Sequence, residues 1–125
     1  VNESYDLIAL PGGMPGAERL RDSKELTKML ESQQQNGKLF AAICASPAIV
    51  LHHHGLLADR KATAYPGMAE QLPNTESIES RVVVDNNCIT SQGPGTAMEF
   101  ALKLVEALYG EQMAKNIAES MLVTY

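Results

Sequence analysis

The chain has 125 residues, 45% of them hydrophobic, and a formal charge of −5 from 15 acidic and 10 basic side chains. That length suits one small domain, no apolar run approaches the roughly 18 residues of a membrane span, and the absence of a basic stripe argues against nucleic acid as a partner. The two cysteines, Cys44 and Cys88, form neither a disulfide framework nor a C-x-x-C pair; free thiols point to a reducing compartment, so a cytoplasmic location is expected. The chain begins with Val1 rather than Met, which leaves organelle targeting open.

Tyr5 to Leu10 reads as a buried strand, broken by Pro11, Gly12 and Gly13. The next helix is expected from Asp22, where Asp22-Ser23-Lys24-Glu25 has capping-box spacing with Asp22 at the N-cap. Leu26, Met29 and Leu30 give its apolar face, and Gly37 is a natural stop. Leu39 to Ile43 is a second buried strand, so the first third of the chain forms a strand-helix-strand unit with parallel strands. A helix from Ala48 to His54 follows and ends at Gly55. Lys61 to Ala64 reads as a short strand and Met68 to Leu72 as a helical turn. Arg81 to Asp85 and Cys88 to Ser91 are strands joined by a tight turn at Asn86-Asn87, since Asn tolerates the left-handed conformation such turns need. After the loop Gln92-Gly93-Pro94-Gly95, an amphipathic helix starts at Thr96, with Phe100, Ala101, Leu104, Val105 and Leu108 on one face. Gly110 ends it, and Glu111 to Met121 forms a last helix.

The alternation of strands and helices predicts an α/β domain, and ligands in such folds bind at the carboxyl ends of the strands. Three breaks fall there: Gly12-Gly13, Cys44-Ala45 and the loop from Gln92 to Gly95. Cys44 follows the apolar run Leu39 to Ile43 and precedes Ala45-Ser46-Pro47 and a helix, which is the layout of a nucleophile elbow. A thiol at a helix N-terminus ionises more easily. The alternative, an inert buried cysteine, fits Cys88 within its strand better. Three consecutive residues on a helix point about 100° apart, so His52, His53 and His54 do not converge on one metal ion and are expected as exposed end-of-helix residues. Gly12-Gly13 is no phosphate loop, because no Gly-Lys-Ser/Thr follows. Gly93-Pro94-Gly95 before Thr96 reads equally as a loop with an N-cap or as a pocket wall. About five strands are legible, and the first is already a buried one. The chain is therefore expected to be the carboxyl-terminal part of a larger domain, with residues 1–125 forming one unit.

Four motifs in register, spread over essentially the whole chain, carry a family resemblance. They are Tyr5 to Gly13; Ala41-Ala42-Ile43-Cys44-Ala45-Ser46-Pro47-Ala48; Arg60 to Pro66; and Thr90 to Phe100. Together they resemble the DJ-1/ThiJ/PfpI superfamily, in particular its YajL-like and plant DJ-1 branch. The resemblance implies a flavodoxin-like, class I glutamine amidotransferase-like parallel-sheet sandwich with the N-terminal portion missing, and a homodimer. It implies that Cys44 is the reactive cysteine and that the backbone N–H groups of Gly13 and Ala45 form its oxyanion site. Gly12, Ser46, Tyr65, Gln92, Gly93 and Pro94 would then form the substrate pocket. No cofactor and no metal are implied.

The sequence departs from the family at three points. The family's glutamate beside the cysteine belongs to a segment not represented here, and none of Glu3, Glu18, Glu25 or Glu31 sits in its motif. A separate N-terminal segment is therefore an expected partner. Tyr65 and Ala45 stand where other branches carry a histidine, and Gln92 stands where human-type members carry an arginine. The resemblance implies a cysteine-dependent glyoxalase or deglycase acting on methylglyoxal-type carbonyls and glycated side chains. Its rivals are a redox sensor or chaperone that uses Cys44 oxidation, and a cysteine peptidase or amidotransferase-like hydrolase.

Overall fold

The computed structural model describes residues 5–125. Strands β1 (Leu7–Leu10) and β2 (Leu39–Ile43) pair in parallel, with Leu7 opposite Leu39 and Leu10 opposite Ala42. β2 pairs in parallel with β4 (Cys88–Ser91), and β4 pairs antiparallel with β3 (Val82–Asp85), so the sheet order is β1-β2-β4-β3. The β3–β4 turn falls at Asn86, whose φ of 54° is the left-handed conformation that Asn tolerates.

Apolar residues alternate across β2 and feed two cores, one on each face of the sheet. Phe40 and Ala42 join Leu30, Val50, Leu51 and Leu57 on one side. Ala41 joins Ile89 and Phe100 on the other. Helix α2 (Lys24–Gln35) contributes Leu30 to the first core, and α3 (Ala97–Tyr109) contributes Phe100 to the second. The result is a three-layer α/β sandwich of the flavodoxin-like class.

Several sequence expectations change. A seven-residue helix, α1 (Gly16–Asp22), precedes α2 and was not anticipated. Its end moves the N-cap of α2 from Asp22 to Ser23, whose hydroxyl accepts the Leu26 N–H at 3.2 Å. Four strands are present among the described residues, not five. Residues 62–64 are buried, but their polar groups bond outside a ladder: Thr63 N–H donates to Thr90 Oγ1 at 3.0 Å and Thr63 Oγ1 donates to the Ile78 carbonyl at 2.8 Å. The turn near Met68 is a single 3-10 turn, Ala69–Gln71. β1, expected to be buried, has Ala9 exposed and Leu7 and Ile8 half-buried, because among the described residues it pairs on one side only. α3 buries Leu102, which lay off the expected stripe, and exposes Ala101, which lay on it. That helix also packs against α4 (Glu111–Ser120), so its apolar surface serves more than one neighbour.

The cap assignment is testable by urea denaturation. Ser23→Ala should lower stability by about 1 kcal/mol, whereas Asp22→Ala should leave the midpoint nearly unchanged; the opposite ranking would return the cap to Asp22.

Candidate functional site

β2 ends at Ile43, and the next residue, Cys44, turns into the left-handed region at φ 66°. A non-glycine residue there is strained by roughly 1–2 kcal/mol and persists where its surroundings fix it. Two backbone bonds do so: Cys44 N–H donates to the Ser91 carbonyl at 3.0 Å, and the Cys44 carbonyl accepts from Tyr65 N–H at 2.8 Å. The thiol is partly exposed. The expected helix from Ala48 to His54 is a six-residue π-type segment, Pro47–His52, opened by Ala48 and Ile49 N–H groups donating to the Ala45 carbonyl at 3.1 and 2.9 Å. Fewer peptide dipoles align behind Cys44 than a full α-helix would supply.

The Gly12 backbone lies against this elbow. A Cβ on Gly12 would stand 2.4 Å from the Cβ of Cys44 and 2.9 Å from the Ile43 carbonyl oxygen, so a side chain there displaces Cys44. Gly13 adopts φ 87°, and its carbonyl accepts from Ala17 N–H at 2.8 Å, closing the first turn of α1. Among the described residues the N–H groups of Gly13 and Ala45 have no protein acceptor. Both are backbone donors of the kind that stabilise a developing anion.

The third break forms a fixed loop. Ser91 Oγ donates to the Arg81 carbonyl at 2.7 Å and lies 2.6 Å from Thr96 Oγ1, which accepts from Gly93 N–H at 3.1 Å. Thr96 thus ties the loop shut. The sequence reading missed this network, although the Gly93 to Thr96 spacing carried a trace of it. The Tyr65 ring packs on Gly93, with Cδ1 3.3 Å from where a Cβ would stand, and remains about half exposed. Pro94 is exposed, while Gln92 donates from its amide nitrogen to the Ile78 carbonyl at 3.2 Å, an anchor for the loop.

Three residues sit differently from expectation, the first being His52, which was taken as exposed and is half-buried. Ser46, taken as a pocket wall, is fully buried and donates to the Pro11 carbonyl at 2.5 Å, so it supports the site from beneath. His54, taken as exposed, is half-buried with Nε2 2.8 Å from the Arg21 carbonyl and 3.2 Å from Thr27 Oγ1. Cys88 is a core residue, and burial pushes its thiol up to about 12. Among the described residues no His, Cys, Asp and Glu side chains cluster as a metal site would require; Glu3 lies outside them. A surface cavity of about 670 Å³ lies by Arg81, Glu99, Lys103 and Tyr125, away from Cys44. Its charges pair internally, Arg81 with Glu99 at 2.7 Å and Lys115 with Glu111 at 2.7 Å.

The strand order, the strained cysteine and the glycine pressed against it define an α/β protein with an elbow cysteine. The DJ-1/PfpI family pattern matches residues 1–107, and the chain belongs to that family. It is 51% identical to protein DJ-1 homolog B of Arabidopsis thaliana over 96% of the chain and 27% of that relative. A solved structure of oxidized Toxoplasma gondii DJ-1 superposes with a TM-score of 0.95 at 57% identity, covering 99% of this chain and 67% of that one. The glutathione-independent glyoxalase DJR-1.2 of Caenorhabditis elegans is 36% identical over 96% of the chain and 64% of that relative. The chain thus spans less than a third of the Arabidopsis protein and about two thirds of the other two.

Gly12→Ala should destabilise the fold by on the order of 1–3 kcal/mol and alter the rate at which iodoacetamide labels Cys44; unchanged melting and labelling would remove the close approach as a constraint. Cys88 gives a pH signature. Its thiol ionises near 9.0 when unfolded and near 12 when folded, so the folded state holds the extra proton between those values. Its contribution to stability is complete below about pH 9 and is lost as pH rises toward 12. Urea titrations at pH 8, 10 and 11 should show that decline, and Cys88→Val should reduce it, leaving the part due to Tyr125, whose hydroxyl is likewise pushed up by burial and by Glu106.

Proposed function

We propose that this chain carries the nucleophile and the oxyanion donors of a glyoxalase or deglycase that uses no cofactor. The observation behind the reading is the strained, partly exposed Cys44 beside two N–H groups, on Gly13 and Ala45, with no protein acceptor. In this scheme the Cys44 thiolate adds to the aldehyde carbon of a 2-oxoaldehyde such as methylglyoxal, forming a C–S bond and an oxyanion. The Gly13 and Ala45 N–H groups stabilise that oxyanion and take a few kcal/mol off the barrier. A proton then leaves the former aldehyde carbon and, through an enediol, is returned to the neighbouring carbon. The first carbon is oxidised to a thioester as the second is reduced to an alcohol. Water cleaves the thioester, giving a 2-hydroxy acid and the free thiol. The same addition to aldehyde-derived adducts on Cys, Lys or Arg side chains would be deglycation.

The proton relay needs a group at the thiol, and among the described residues no side chain bonds Cys44 Sγ. The whole-protein activity therefore depends on a group beyond those residues, such as the family's glutamate in a separate N-terminal segment. A homodimer and a cytoplasmic setting fit the family; among the described residues no helix is long and apolar enough to cross a membrane. A peptidase or amidotransferase reading is disfavoured, because no histidine pairs with Cys44 and His54 is committed to Arg21 and Thr27.

The rival is redox sensing by oxidation of Cys44. Its support is the contrast between a partly exposed Cys44 and a buried Cys88, and a similar solved protein is described as oxidized. The full-length protein should convert methylglyoxal to lactate, and Cys44→Ala should lower the rate by on the order of a thousandfold or more; equal rates would reject the enzymatic reading. Mild peroxide followed by peptide mapping addresses the rival, which requires two added oxygens on Cys44 before any on Cys88.

A further inference from the structure

Residues 11–22, comprising the Gly12-Gly13 turn and α1, lie along the elbow segment, and α1 packs directly on Pro47–His52. The two stretches are joined at both ends by a side chain reaching a backbone carbonyl. At one end the buried Ser46 hydroxyl donates to the Pro11 carbonyl at 2.5 Å. At the other, His54 Nε2 meets the Arg21 carbonyl at 2.8 Å. Thr27 Oγ1 already donates its proton to the Ser23 carbonyl at 2.9 Å, so at its 3.2 Å contact with His54 it accepts. Nε2 therefore carries a hydrogen and donates to both oxygens. Between the two ties, the Gly13 carbonyl is held by Ala17 N–H, which fixes the Gly13–Met14 peptide next to the Gly12–Gly13 peptide that carries the Gly13 N–H.

We infer that Ser46 and His54 are positioning residues that clamp the Gly13-bearing turn to the elbow, keeping the Gly13 N–H aimed where charge develops next to Cys44. Neither touches the reacting atoms. The sequence around each gives a reason for its place. Ser46 follows the strained turn by two residues, so its short side chain points back under it, and His54 closes the elbow segment where α1 ends. The catalytic consequence rests on the proposed reading of Cys44; the mechanical one does not.

Amide hydrogen exchange and steady-state kinetics on the full-length protein test the clamp. Ser46→Ala and His54→Leu should each speed exchange across residues 12–20 by about five- to tenfold and leave β3 and β4 unchanged. Each should lower kcat for lactate formation by about three- to tenfold with KM unchanged, since the Gly13 donor acts on charge that forms only in the transition state. His54→Gln, whose amide nitrogen can occupy the place of Nε2, should restore both. Unchanged exchange at 12–20, acceleration spread evenly over the molecule, or failure of His54→Gln to rescue would overturn the inference. If the wild type makes no lactate, the glyoxalase reading falls while the exchange comparison still decides the clamp. If Ser46→Ala does not fold, the two His54 variants decide it.

Discussion

The backbone of Gly12 and the Cβ of Cys44 occupy space that cannot also hold a side chain on residue 12, and the arrangement of the site follows from that contact. It requires the end of β1 and the end of β2 to be level. The parallel register supplies this, because Leu10 stands opposite Ala42 and the chain then runs on by two residues on each side. The same register continues into β4. Ile43 pairs with Ser91, and the next N–H, that of Cys44, still finds the Ser91 carbonyl. A slip of one residue in either pairing would turn the apolar faces of the strands outward and separate the turn from the thiol. The hydrophobic pattern that builds the two cores therefore also sets the position of Cys44.

Holding Cys44 in the left-handed region opposes folding by an amount comparable to one hydrogen bond. Two such bonds hold its backbone, and the surrounding polar groups are satisfied too. Ser46, Thr63, Thr90, Ser91 and Thr96 are all buried, and among the described residues no buried side-chain polar atom lacks a partner. This matters because an unpartnered buried hydroxyl would cost about 1–3 kcal/mol, enough to release the strain by moving a loop instead. The hydroxyls link segments distant in sequence: Ser46 to Pro11, Thr63 to Thr90, Ser91 to the carbonyl of Arg81. They cross-brace the strand ends, where the sheet ladder itself stops.

What the sequence made legible is what the main chain encodes through pattern. The apolar runs marked β2 and β4, the paired Asn marked the hairpin, and a cysteine between a strand and a proline marked the elbow. The features that stayed hidden depend on neighbours. α1 has a single fully buried residue, Ala17, and so shows no stripe; missing it displaced the cap of α2 by one residue. Residues 62–64 are apolar enough for a strand, but their hydrogen bonds go to Thr90 Oγ1 and Ile78. His54 looked like one of three exposed histidines, and only the position of Arg21 and Thr27 distinguishes it from His53. Leu102 of α3 is buried although it lies off the expected stripe, because that stripe was drawn for one neighbour and the helix has two.

The groups around Cys44 divide into two kinds with different consequences for variation. The open N–H groups of Gly13 and Ala45 belong to the main chain, so no substitution short of a steric clash or a proline removes them. Tyr65, Gln92 and Pro94 are loop residues: Tyr65 is tied to the elbow through its backbone N–H, which donates to the Cys44 carbonyl, while Gln92 is anchored by Ile78 and Gly93 by Thr96. Replacing those side chains changes what fits beside the thiol while leaving the turn and its donors in place. A tyrosine and a glutamine at these positions are compatible with the strained cysteine, because their side chains take no part in holding it. The conformation of Cys44 is set by sheet register and backbone, and the side chains of Tyr65, Gln92 and Pro94 take no part in it.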